Sequence, residues 1–149
     1  MNLEHTVATL DMLAQLRARE LDAAGEELRK LHAIAERMRH NLQRMRDMLG
    51  ELGRNDGGSA ALASNSAHYK LSLLDMITVH SRDLRGQEAR IQASRDVFDL
   101  ASLQYERITR ALHDKRGLLR QLRHAQDQKR QDQLALQSWV HARHARPTY

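Results

Sequence analysis

Apolar residues recur every seven positions along two stretches of this chain, a spacing that predicts two long helices packed along a shared seam. With Val7 at position a of a heptad, Ala14, Leu21, Leu28, Ala35, Leu42 and Leu49 follow at a. Leu3, Leu10, Ala24, Leu31, Met38, Met45 and Leu52 fall at d, where Arg17 is the one polar residue. The second stretch places Ile77, Leu84, Ile91, Phe98, Tyr105, Leu112 and Leu119 at a. Its d positions are mixed, with Leu73, Ala101, Ile108 and Leu122 apolar and His80, Gln87, Ser94 and Lys115 polar. Polar seam residues cost stability and specify register, so this arm expects a defined pairing, within the chain or with another copy.

Between the two stretches lies GELGRNDGGSAALASNS, where Asn55-Asp56-Gly57-Gly58 is a strong turn signal. The predicted organisation is all-α. Two long helices form an antiparallel coiled-coil hairpin with a longer C-terminal helix, in a single domain over 1–149. The first helix covers 3–52, the turn 53–66 and the second helix 67–146, with Ser64 or Ser66 as its N-cap. Reversal about Gly57 brings Leu52 near Leu73 and Leu3 near Leu122, a paired length of about 75 Å. Beyond Leu122 the seam slots hold Gln126, Lys129 and Gln133, yet the segment from Arg123 to Arg146 still reads as helix until Pro147. This overhang of roughly 35 Å has no expected partner inside the chain. A lone helix is marginal in water, so an overhang carrying Leu134, Leu136, Trp139 and Val140 is either a partner site or a frayed end.

Composition narrows the function. The 149 residues include one Pro, no Cys and 3% aromatics, with 29% charged. This is too little aromatic material for a sheet core, and a thin helical seam leaves little room for a deep pocket. No phosphate-binding glycine loop, HExxH or thiolate site is present. His141 and His144 share a helix face without a carboxylate beside them, and the other histidines form no constellation. An enzyme, a metal and a cofactor are therefore not expected. The N-terminus lacks a signal peptide's basic and apolar regions, and no run of about 18 apolar residues exists, so a soluble cytoplasmic chain is expected.

The net charge of +5 is uneven: Met1 to His68 holds 9 basic and 10 acidic residues, and Tyr69 to Tyr149 holds 15 and 9. The excess lies on the second arm, either as a solvated face or as a docking surface for something acidic. Nucleic acid is the obvious acidic ligand. Against it, the basic residues are interleaved with acids and no aromatic stacking platform accompanies them.

Three stretches carry a family resemblance. The opening LEHTVATLDMLAQLRARELDAA, the segment SNSAHYKLSLLDMITVHSRDL and the end LRHAQDQKRQDQLALQSWVHARHA resemble, in that order, the helices of the FliJ family of flagellar type III export proteins. The resemblance implies a stalk-like coiled coil that binds the hexameric export ATPase and the cytoplasmic part of the export gate, and escorts export chaperones. It also implies a location at the inner-membrane export apparatus. For the gate it points to Tyr69, Leu73, Met76 and His80, spaced along one helical stripe. For the ATPase it points to the N- and C-terminal ends of the rod, where the residue chemistry offers Arg120, Arg123, Lys129, Arg130, Arg143 and Arg146 to meet acidic loops, with Trp139 as apolar anchor. An injectisome stalk protein and a basic coiled coil that binds nucleic acid are the alternatives.

Overall fold

The computed structural model describes residues 2–54 and 59–145. Two helices account for nearly all of them: α1, Leu3–Arg54, of 52 residues, and α2, Ala60–His144, of 85 residues. Asn2 caps α1, its side-chain Oδ1 accepting the Glu4 N–H at 3.1 Å while its carbonyl accepts from Thr6 at 3.1 Å.

The helices extend further into the connecting stretch than the expected turn of 53–66 allows. Gly53 and Arg54 complete α1, and α2 begins at Ala60 instead of at 67. The Ser59 carbonyl accepts from Ala63 at 2.9 Å, so Ser59 takes the capping position expected for Ser64 or Ser66, which lie inside the helix. The reason is local: AALA is a run of strong helix formers, and it propagates α2 backwards from its seam. The Asn55–Gly58 turn signal and Pro147 lie outside the described residues.

The packed residues group into two units, Arg19–Ser102 and the pair of segments Met1–Ala18 with Leu103–Tyr149. Within Arg19–Ser102, Gly25 lies against Phe98 and Leu31 faces Gln87, so the paired segments run antiparallel. A Cβ at Gly25 would stand 3.4 Å from Phe98 Cε2. The missing side chain lets the ring lie close against the α1 backbone. The core is a single file of heptad residues: Ala35, Leu42, Leu73, Ile91 and Ala101 are buried. Gln87 is buried among them at 6 % exposure and donates its Nε2–H to the Leu31 carbonyl at 3.0 Å. That bond satisfies a polar group in an apolar seam and penalises any shift of register. The seam also continues upstream of Leu73, through half-buried Lys70 and Ser66.

In the unit built from Met1–Ala18 and Leu103–Tyr149, Glu4 meets Arg123, Asp11 meets Arg116 and Arg17 meets Gln104. Partner numbers fall as α1 numbers rise, so these segments are antiparallel too. Ala14 and Leu112 are buried and Leu119 is half-buried. Lys115, at a seam position by spacing, is exposed. From Arg120 to Ala145 every residue is exposed.

Candidate interaction surfaces

The exposed end of α2 has a defined face. Leu136, Trp139, Val140 and Arg143 stand at i, i+3, i+4 and i+7, the spacing that lines one side of a helix. Trp139 is 57 % exposed, and the Arg143 guanidinium sits 5.0 Å from its ring centroid, a cation–π pair. Leu134 and Leu136 are equally open to solvent. The remaining polar contacts are local: Ser138 Oγ–H donates to the Leu134 carbonyl, and His141 Nδ1 lies 2.9 Å from the Gln137 carbonyl.

The basic residues expected to act together do not all stand free. Arg123 donates to Glu4 at 2.7 Å, and its role is to tie α2 to the start of α1. Arg116, which sequence reasoning did not single out, does the same with Asp11 at 2.6 Å. Arg120 lies between these pairs, beside a shallow recess floored by Val7, Ala8 and Leu119. Lys129, Arg130 and Arg143 are exposed, and Arg146 lies outside the described residues.

The stripe from Tyr69 to His80 divides. Leu73 is 4 % exposed and His80 half-buried, both on the seam, whereas Tyr69 and Met76 are about half exposed. Leu71, Leu74 and Val79 of the same stretch are exposed as well. The helix is therefore apolar on more sides than α1 covers, a pattern expected of a helix with further partners. Spacing found the two seam residues and their two neighbours. It missed the others because they fall on no single stripe.

Electrostatics elsewhere are ordinary helix-surface pairs. Arg29 donates to Glu26 at 2.7 Å, and this hydrogen bond, with the charges of Arg29 and Lys30, holds the Glu26 carboxyl below its usual pKa. Among the described residues no three His, Asp or Glu side chains are grouped to hold a metal ion, and no helix is long and apolar enough to cross a membrane.

Within each unit the α1 and α2 segments pack antiparallel, and the described residues leave apolar and basic faces open beside shallow recesses, the build of a coiled-coil protein. The family model described as flagellar FliJ protein matches residues 6–144, and the chain belongs to that family, whose members are coiled-coil proteins associated with flagellar export. No curated protein and no solved structure matches it.

Proposed function

We propose that this chain is the stalk and escort component of flagellar protein export. In this reading α1 and α2 form one antiparallel coiled-coil hairpin, and the longer α2 leaves a basic end for the hexameric export ATPase. Trp139 is the apolar anchor there, Arg143 is held on its face, and Arg120, Lys129 and Arg130 orient the approach to acidic loops. Tyr69 and Met76, backed by Leu73 and His80 on the seam, meet the cytoplasmic part of the export gate. Export chaperones are further partners, and the chain works in the cytoplasm, held peripherally at the inner membrane.

The observation that carries the reading is the unbroken exposure from Arg120 to Ala145 on a helix whose preceding turns are packed. A helix without tertiary contacts gains little from propensity alone, so a surface that covers Trp139 also stabilises the segment. Trp and Arg are the side chains that most often dominate an interface, while surrounding charges mainly speed and orient encounter. The family match favours the flagellar system over an injectisome.

Co-sedimentation with the cognate export ATPase, run beside retention on duplex DNA, tests this. A Trp-anchored interface persists when salt is raised to about 0.2 M, whereas binding by phosphate contacts falls steeply over the same range. ATPase binding that survives salt supports the proposal. Salt-sensitive DNA retention with no ATPase binding contradicts it.

A further inference from the structure

The end of α2 carries a heptad of its own. The d column of the seam continues there as Leu122, Lys129, Leu136 and Arg143, and the g column beside it as Leu118, Ala125, Asp132 and Trp139. The two columns alternate at steps of four and three residues, so together they line one face of the helix over about 38 Å. The a column holds Gln126 and Gln133, which is why apolar spacing loses the seam at this point. Leu118 and Leu122 are 43 % and 47 % exposed, although they lie on the turns that Arg116 and Arg123 tie to α1. Lys129 and Asp132 form no ion pair among the described residues.

This face is complementary to itself when a second copy runs antiparallel. In an antiparallel coiled coil each residue of one column faces a residue of the other column on the partner helix. With the twofold axis between Arg130 and Gln131, Lys129 of each copy faces Asp132 of the other, Ala125 faces Leu136, and Leu122 faces Trp139. Opposite charges meet, and a small side chain meets a large one. At the ends Arg143, held over its own Trp139 ring, meets Leu118. The flanking positions carry no charge: Leu119 borders Val140, Gln126 borders Gln133 and Gln128 borders Ala135. Other alignments are penalised. A slip of one heptad in either direction sets Asp132 against Leu122 or Leu136, and a parallel pair in register sets Lys129 on Lys129 and Asp132 on Asp132.

We propose that the end of α2 pairs antiparallel with the same segment of a second copy of this chain, forming a symmetric two-helix coiled coil over 118–143. A second copy is the occupant because one sequence satisfies both sides of every layer. Pairing also supplies the tertiary contacts that a lone helix lacks. Half of the eight layers hold a charged side chain, so the dimer is weak: the chain is a monomer when dilute and a dimer when concentrated. The dimer covers Trp139, so a second copy and the export ATPase exclude one another, and docking on the ATPase releases the pair. The pairing itself does not depend on the ATPase reading, because it belongs to the chain alone.

Sedimentation equilibrium of the chain alone tests it, with circular dichroism of dilute samples confirming the helical fold of each variant. Between about 5 µM and about 500 µM the average mass is expected to rise from the 17.2 kDa of the monomer towards twice that value. Asp132→Lys sets two lysines together in the central layers and Lys129→Asp sets two aspartates together; each is expected to weaken association by at least roughly tenfold. The double variant Lys129→Asp/Asp132→Lys restores opposite charges and is expected to dimerise within about threefold of wild type. A wild-type mass that stays at 17.2 kDa over the whole range overturns the proposal. So does association that either single variant retains at wild-type strength, or that the double variant fails to recover, since the contact then lies elsewhere on the chain.

Discussion

A chain ending at His124 is expected to lose measurable binding to the export ATPase while melting at nearly the temperature of the full chain. The two effects separate because the deleted residues contribute nothing to packing: each described residue beyond Arg120 is exposed. Ending at His124 retains Arg123 and its pair with Glu4, although an exposed ion pair contributes only up to about 1 kcal/mol. The helical signal falls with the residues removed, but the cooperative transition belongs to the seam and remains. Within the deleted segment Trp139 carries the largest share. Trp139→Ala removes the apolar anchor and the ring beneath Arg143, and is expected to cost about 2 kcal/mol, roughly thirtyfold in affinity. Calorimetry with the ATPase and thermal denaturation by circular dichroism read the two effects independently. A truncation that lowers the melting temperature by more than a few degrees would mean that the end of α2 packs on the chain itself.

Leu42→Ala is expected to produce the largest loss of stability of any single truncation in the Arg19–Ser102 unit. Leu42 is 2 % exposed, the largest fully buried side chain described, and occupies an a position between exposed neighbours. In a globular core the surroundings relax around a deleted side chain from several directions. A two-helix seam is one layer thick, and small Ala35 one heptad away gives no bulk with which to fill the space. The cost should be about 3 kcal/mol, within the range for buried leucine. That is a large fraction of the total stability of a small protein and corresponds to a fall in melting temperature of roughly 10 °C. Ile34→Ala, at a site 42 % exposed, should cost far less and serves as the comparison in urea denaturation. Equal losses at the two positions would contradict the heptad seam.

Much of the fold was legible because heptad spacing is a direct consequence of helix geometry, and the apolar a positions from Val7 to Leu49 and from Ile77 to Leu119 are all protected from solvent. What spacing did not reveal has physical causes. Lys70 and Ser66 are polar, so their place on the seam is invisible to an apolar pattern, although the stem of a lysine can lie along such a surface. The start of α2 at Ala60 depends on the propagation of a nucleated helix through alanines, which a turn-rich composition hides. Spacing marks Gln87 as a polar residue that specifies register, but not the group it pairs with. Its bond to the Leu31 carbonyl makes it a register-setting contact.

The surfaces were less legible. Basic residues on α2 could be counted, but whether each was free depended on α1: Arg123 and Arg116 are tied to Glu4 and Asp11, while Lys129 and Arg130 are not on paired turns. Tyr69 and Met76 were identifiable from α2 alone.

Hydrogen–deuterium exchange of the chain alone and in complex with the export ATPase tests the central claim most directly. The account predicts fast exchange across 124–145 in the free chain, slow exchange at Leu42 and its seam neighbours, and strong protection of 124–145 on complex formation. Complex formation that protects α1 or the Tyr69–His80 stretch and leaves 124–145 exchanging as fast as in the free chain would contradict it.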